Sequence, residues 1–421
     1  MFKFLHTADI HLDSPLRNLD NYDDIPRDEF RSATRRAFDN VVELAIREEV
    51  AFVLLAGDLY DGDSNNFHTP LHIRRKMEEL NAAGIRVFII QGNHDAANNM
   101  TNAFRLTLPD NVHLFATNSP ETVLIDELKV AIHGQGFAEK AVTEDLSKNY
   151  PEPVQGYLNI GMLHTNCGSN GEHDPYAPST VTGLTAKGYD YWALGHIHKP
   201  NVLTGPDPWI IYSGCPQGRH IGETEERGCV IASYDGDHIS QKMHHVDVLR
   251  WYTVDTNVED CDDADSAIAK CVREIETIAE KSDGRPLAVR LKLSGKTNAH
   301  RELARRMDYW DRQIRVAVLD RFEQRVWVEK IKFKTKPPAR KSDVVDSGLD
   351  ALIADLQSPQ LAAFARTELR ADFEKMLEQL PHDPRQEREH LDLDNDAAMA
   401  LVVAEARELL VARVVDSGAE V

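Results

Sequence analysis

Residues Gly57-Asp58-Leu59-Tyr60-Asp61, GDLYD, follow the apolar run Ala51–Ala56, AFVLLA, and the reading of this junction decides the fold. An apolar run stopped by Gly-Asp predicts a buried strand that ends in a tight turn and hands the Asp58 carboxylate to a cleft. Other strand ends deliver ligand-type residues in the same way: Asp9 and His11, Asn93 and His94, His164, then His196 and His198. Oxygen and imidazole donors without a thiolate suit a pair of hard or borderline divalent cations such as Mn²⁺, Fe²⁺ or Zn²⁺. A carboxylate shared at the centre suits two ions about 3.5–4 Å apart, the separation used in phosphoester cleavage.

At 421 residues the chain is too long for one compact core, so two or three domains are expected. Hydrophobic content of 42% and charged content of 28% are ordinary for a globular protein. No apolar stretch approaches the roughly 18 residues of a membrane span. The opening MFKFLHTADIHLD meets charge and histidine too early for a secretory signal, which makes the cytoplasm the expected compartment. The five cysteines form no CxxC pair, so neither a disulfide framework nor a zinc ribbon is indicated. A net charge of −21 is the reverse of a general nucleic-acid coat, yet it leaves room for a local basic groove.

Taken in order, Met1–Thr7 reads as the first strand, followed by a loop carrying Asp9, His11 and Asp13. Residues 29–49 place Phe38, Val41, Val42, Ala45 and Ile46 on one helical face. Thr69–Ala83 reads as a second helix, with Pro70 in its first turn and Gly84 past its end. Ile85–Ile90 is a further buried strand, ending in Gly92-Asn93-His94-Asp95. After Asn111 short strands take over (VHLF, TVLIDELKVAIHG, LNIGMLH, YDYWALGH, WIIYSG, GCVIASYDGD), which suggests mixed or antiparallel sheet. The expected fold is α/β: a layered core of mixed sheets flanked by helices over residues 1–247, with active residues on loops at strand ends.

From Trp251 the pattern resets to a smaller α+β unit, expected over 248–335 as a capping or DNA-binding domain. Gln313–Phe333, rich in Val and Ile, reads as including further strand. Lys330, Lys332 and Lys334 alternate with apolar positions within RVWVEKIKFKTKPPARK, so in a strand they share one face. Evenly spaced cations suit a phosphate backbone. The same lysines also suit protection of a sheet edge. After Pro337-Pro338, residues 336–421 form a linker and an acidic helical tail with an apolar stripe at Leu369, Phe373, Met376, Leu377 and Leu380. Such a stripe fits internal packing or a partner groove.

Each cluster alone is weak, but D-x-H, G-D-x-x-D, G-N-H-D, a G-x-x-H and G-H-x-H follow one another here, each after an apolar strand. This order resembles the signature of the calcineurin-like metallophosphoesterase superfamily. Within it, HTADIHLD, YWALGHIHKP and YSGCPQGRHIGETEERG are similar to SbcD-type DNA repair exonucleases, including the YhaO-like branch. The resemblance implies that Asp9, His11, Asp58 and His198 hold one metal and that Asp58, Asn93, His164 and His196 hold the other, most readily Mn²⁺. In the family pattern His94 contacts the scissile phosphate or protonates the leaving oxygen, and Asp95 orients it. SbcD-type enzymes often carry histidine where this chain has Asp61, which bears on the substrate end or strand.

The resemblance therefore implies a two-metal DNA nuclease working with an SMC-like (SbcC-type) ATPase, with homodimerisation a family expectation. The alternatives are a phosphodiesterase or phosphatase for a small nucleotide or phosphoprotein, and a non-catalytic subunit that binds DNA or the ATPase. SbcD-type subunits attach to their ATPase through C-terminal helices, so truncation at Lys341 is expected to spare Mn²⁺-dependent hydrolysis and abolish association with such a partner. Pull-down and activity assays of the truncated chain check this; loss of hydrolysis would instead show that the tail packs on the enzyme.

Overall fold

The computed structural model describes residues 1–16, 19, 32–60, 68–96, 108–168, 176–323 and 325–338, with isolated positions between 368 and 410. Asp61 and the tail anchors Leu369, Phe373, Met376 and Leu380 lie outside the described residues. In chain order come β1 (Phe2–Thr7), α1 (Ala33–Arg47), β2 (Phe52–Ala56), α2 (His68–Ala82), β3 (Arg86–Ile90) and the single turn α3 (Asn93–Ala96). There follow β4 (Val112–Leu114), β5 (Glu121–Ile125), β6 (Val130–Gly134), β7 (Leu158–His164), α4 (Val181–Ala186) and β8 (Tyr191–Gly195). Next are β9 (Asn201–Thr204), β10 (Trp209–Tyr212), β11 (Gly228–Tyr234), β12 (Ile239–His245) and β13 (Arg250–Asn257). The series closes with α5 (Ala264–Glu280), β14 (Leu287–Lys296), α6 (His300–Arg305), α7 (Met307–Phe322) and β15 (Val326–Lys336).

The chain divides into two compact units, the first made of Met1–Thr253, Thr277–Arg290 and Phe322–Glu329. It contains two six-stranded sheets, ordered β12-β11-β1-β2-β3-β4 and β5-β6-β7-β8-β10-β9. In the first, β1 to β4 run parallel and β11 is antiparallel to both its neighbours, β1 and β12. In the second, β6, β7, β8 and β10 run parallel between antiparallel β5 and β9. The α/β class and the mixed sheets match the expectation from the sequence.

Two-residue periodicity sorts the side chains of β1 and β2. Phe4, Phe52 and Leu54 join Phe88, Ile132, Ile160 and Tyr191 in one apolar cluster, and the Phe4 ring meets Tyr191 edge-on at 5.1 Å. Leu5, Val53 and Leu55 belong to the other cluster, with Phe38, Val41 and Val42 of α1 and Ile73 and Met77 of α2. A strand buried on both faces has to be apolar throughout, which explains AFVLLA. On α1 the buried stripe includes Leu44, whereas Ile46, expected on that face, is 37% exposed. Near the C-terminus of the helix the stripe turns away from that position.

The second unit comprises Val254–Glu276, Leu291–Arg321 and, among the described residues, those from Lys330 onward. Strands β13, β14 and β15 form a three-stranded sheet in that order. The strand expected within Gln313–Phe333 is present from Val326 onward, while the part of that stretch up to Phe322 is helical. Trp310, Ile314, Val318 and Phe322 are all buried, and their four-residue spacing is helical. The side chains buried at that period outweigh the strand preference of valine and isoleucine.

At the carboxyl ends of β2 and β8 the two sheets of the first unit approach so closely that a Cβ on Gly195 would lie 1.9 Å from the Ala56 carbonyl oxygen. Neither backbone has a flexible end that can yield. Gly195→Ala is therefore expected to destabilise the protein by about 1–3 kcal/mol or more, as overpacking of a filled interior does. Urea unfolding compared with wild type checks it.

Candidate metal centre

The first two parallel strands end in backbone that few L-residues adopt. Asp9 (φ 53°), His11 (φ 46°) and Asp58 (φ 54°) are all left-handed, and so is His196 (φ 98°) after β8. These turns break each strand's alternation and direct consecutive polar side chains to one end of the sheets. Backbone bonds lock them together: Asp9 N–H donates to Gly57 O and His11 N–H to Asp58 O, each at 3.0 Å. Asp13, on the same loop, is held by Arg35 of α1 and Thr69 of α2.

The sequence-predicted donors converge there. Donor atoms of Asp9, Asp58 and His164 lie within 4.8 Å of one another, as do those of Asp9, His11 and His198, and those of His11, Asp58 and His94. His164 Nε2 is 3.5 Å from Asp58 Oδ2 and 3.0 Å from Asn93 Oδ1, while its Nδ1 lies 2.9 Å from Ala56 O. His11 Nε2 is 3.7 Å from Asp58 Oδ2 and 3.2 Å from His198 Nε2. The main-chain N–H of His196 donates to both Asp9 oxygens, at 3.0 and 3.1 Å, and its ring sits 5.3 Å from that of His164. Gly92 makes room: a Cβ there would fall 2.2 Å from Asp58 Oδ1.

Asp9 and Asp58 are each about 1% exposed. Burial pushes the Asp9 carboxyl up, with the neighbouring Asp58 charge adding to that. Burial also opposes ionisation of Asp58, but the imidazoles of His164, His11 and His94 outweigh it and hold its carboxyl far below the usual range. Conversely, burial pulls the His164 imidazole down while Asp58 and Asp9 raise it to about 9. Two buried carboxylates thus draw positive charge into a pocket of imidazole nitrogens and an amide oxygen. This donor set fits divalent cations with mixed N and O ligation.

Asp95 braces the loops. Its Oδ1 accepts from Leu59 N–H and Tyr60 N–H and its Oδ2 from Gly92 N–H, all at 3.0 Å. Burial and the charge of Asp58 nevertheless push its carboxyl up to about 6. The His94 ring stands 4.8 Å from that of His11, and its main-chain N–H donates to Asp58 Oδ1 at 2.9 Å. The reading from sequence missed Glu223, buried beside His198 within the GETEERG segment that it quoted. Nothing in local spacing marks that glutamate, since it lies 25 positions from its partner. Lys330, Lys332 and Lys334 belong to the second unit, on β15, where the first and third are exposed and the second is half-buried. β15 is an edge strand of its sheet.

Residues 2–200 match the family described as calcineurin-like phosphoesterase, and residues 251–336 match metallophosphoesterase YhaO, middle domain. The chain is 32% identical over 295 residues to the uncharacterized metallophosphoesterase YhaO of Bacillus subtilis, covering 69% of this chain and 71% of that protein. It is 25% identical over 265 residues to the DNA double-strand break repair protein Mre11 of Sulfurisphaera tokodaii, covering 61% of this chain and 65% of that one. A solved dimetal phosphatase from Danio rerio overlaps 58% of this chain and 96% of its own at 14% identity and a TM-score of 0.38, too weak a likeness to carry an argument.

Because Asp58 faces both groups of donors, replacing it with asparagine is expected to weaken divalent-ion binding at both. Elemental analysis after dialysis against Mn²⁺ should find fewer ions per chain in Asp58→Asn than in wild type. The rise in thermal midpoint on adding Mn²⁺ should shrink with them, since ligand binding to the native state is what produces that rise.

Proposed function

This chain belongs to the calcineurin-like phosphoesterase family, and from that premise we propose that it is a two-metal DNA nuclease that hydrolyses phosphodiester bonds. The observation that carries the reading is the convergence of Asp9, Asp58, His11, His164 and His198 donor atoms at the strand ends, with His94 beside them. The distant likeness to an Mre11 repair protein favours DNA over a small phosphoester. So does the period-two lysine row on β15, which suits a phosphate backbone. As a partner we propose an SMC-like ATPase, on the resemblance to SbcD-type subunits.

In this reading Asp9, His11, Asp58 and His198 hold one ion, and Asp58, Asn93, His164 and His196 hold the other. Two bound divalent ions, most readily Mn²⁺, supply Lewis acidity toward the phosphoryl oxygens and lower the pKa of water. The chain's own groups do the rest. Asp58, kept ionised by the imidazoles around it, presents its carboxylate to both sides of the site. Ala56 O beside His164 Nδ1 fixes that ring so that Nε2 points at Asp58 and Asn93. The Asp95 brace holds the β2 and β3 loops in register, so His94 keeps its place against Asp58. From there the His94 imidazole contacts the phosphate and gives a proton to the leaving oxygen.

His94→Ala is expected to retain metal and lower turnover by ~10² or more, the range for a missing general acid. Mn²⁺-dependent cleavage of single-stranded and duplex DNA, run beside p-nitrophenyl phosphodiester and monoester substrates, tests both the substrate class and this role. Cleavage of the small esters alone would reject the nuclease reading, and undiminished turnover in the variant would reject the role of His94.

A further inference from the structure

One histidine of the cluster is held from behind by a carboxylate. Glu223 lies in the segment between β10 and β11 and is 4% exposed. Its Oε1 is 2.5 Å from His198 Nδ1. The opposite ring nitrogen, Nε2, faces His11 Nε2 at 3.2 Å. Glu223 is itself anchored: its Oε2 accepts from the Arg219 main-chain N–H at 2.6 Å, and Arg219 Nη2 lies 3.3 Å from Oε1. His220 Nε2 is 3.5 Å from the same oxygen. Arg219 Nη1 in turn donates to Ser14 Oγ at 3.3 Å, in the loop that carries Asp9 and His11.

The group His198, Cys215 and Glu223 offers donor atoms within 4.8 Å of one another, but it is not an ion site. A separation of 2.5 Å between Nδ1 and Oε1 is a charge-assisted hydrogen bond. Two ligands sharing one ion at bonds of about 2.0–2.1 Å stand further apart than that in tetrahedral geometry. A carboxylate in this position accepts a hydrogen bond from Nδ1–H, which leaves the Nε2 lone pair directed at the Asp9 and His11 donors. Carboxylates placed behind metal-binding histidines commonly fix the tautomer and ring orientation in this way.

We propose that Glu223, held by Arg219, is the positioning residue that fixes His198 for metal binding through Nε2. The proposal rests on reading His198 as a ligand. Its effect is local: it would act at the ion site of Asp9, His11, Asp58 and His198 and not at that of Asp58, Asn93, His164 and His196.

Mn²⁺ binding to the full-length chain, followed by calorimetry and elemental analysis, tests it in wild type, Glu223→Gln, His198→Ala and the double variant. Glu223→Gln is expected to weaken one of the two ions by ~10–100-fold, the usual cost of losing such a support. The other ion and the metal-free thermal midpoint should stay at wild-type values. In the His198→Ala background the same change should have no further effect on metal binding. If His198→Ala loses an ion and Glu223→Gln loses none, the positioning role is wrong and the metal reading stands. If His198→Ala binds both ions normally, His198 is no ligand and the proposal falls with that assignment. Loss of both ions together with a lower metal-free midpoint would make Glu223 a folding residue and overturn the proposal. Wild type alone supplies an independent check, because histidine ¹⁵N NMR of the Zn²⁺-loaded protein should show His198 protonated at Nδ1. A proton at Nε2 would also overturn it.

Discussion

Two carboxylates, Asp9 and Asp58, are buried next to each other at the ends of adjacent parallel strands, and the surrounding architecture answers that charge. An ionised carboxylate removed from water is costly unless it is paired and hydrogen-bonded. Here the compensation comes from His164, His11 and His94 around Asp58, and from the His196 main-chain N–H on Asp9. The second sheet is what supplies His164 and His196, so neither sheet alone satisfies the site. The same arrangement that makes the pocket hungry for cations makes its geometry depend on how closely the sheets meet.

That meeting is enforced by backbone. Gly195 against Ala56 and Gly92 against Asp58 are contacts that no side chain larger than hydrogen permits. The left-handed turns at Asp9, His11, Asp58 and His196 are each unfavourable by about 1–3 kcal/mol for an L-residue. They persist because the neighbouring strands are packed on both faces and because bonds such as His11 N–H to Asp58 O tie one strained loop to the next. Strain at the strand ends and close packing behind them are parts of one device: the core fixes the backbone, and the backbone aims the candidate ligands.

Outside the cluster, charge is used differently. Arg290 and Glu329 form a buried bidentate pair with N–O distances of 2.8 and 2.7 Å, and Arg250 engages Asp247 with no exposure of either side chain. The Arg290–Glu329 pair satisfies its two carboxylate oxygens directly. At the candidate metal centre Asp58 Oδ2 lies 3.5 Å from the His164 imidazole and 3.7 Å from that of His11, separations longer than a hydrogen bond and suited to donors that share an ion.

The sequence alone determined the fold class and pointed to most of the candidate donors, because each sits just after an apolar run whose period and length mark a buried strand. AFVLLA before Gly57-Asp58, IRVFII before Asn93-His94 and YWALG before His196 are local signals, readable without knowing what lies across the cleft. The strand read into Gln313–Phe333 is found only from Val326, because burial at four-residue spacing makes the stretch up to Phe322 the end of α7. Only the tertiary structure decided which atoms meet. Asp95 spans from the third strand's end to the amides of Leu59 and Tyr60, and Glu223 reaches His198 from a segment 25 residues away. Such contacts are set by which strand ends and loops the topology brings side by side, a long-range quantity that no local period encodes.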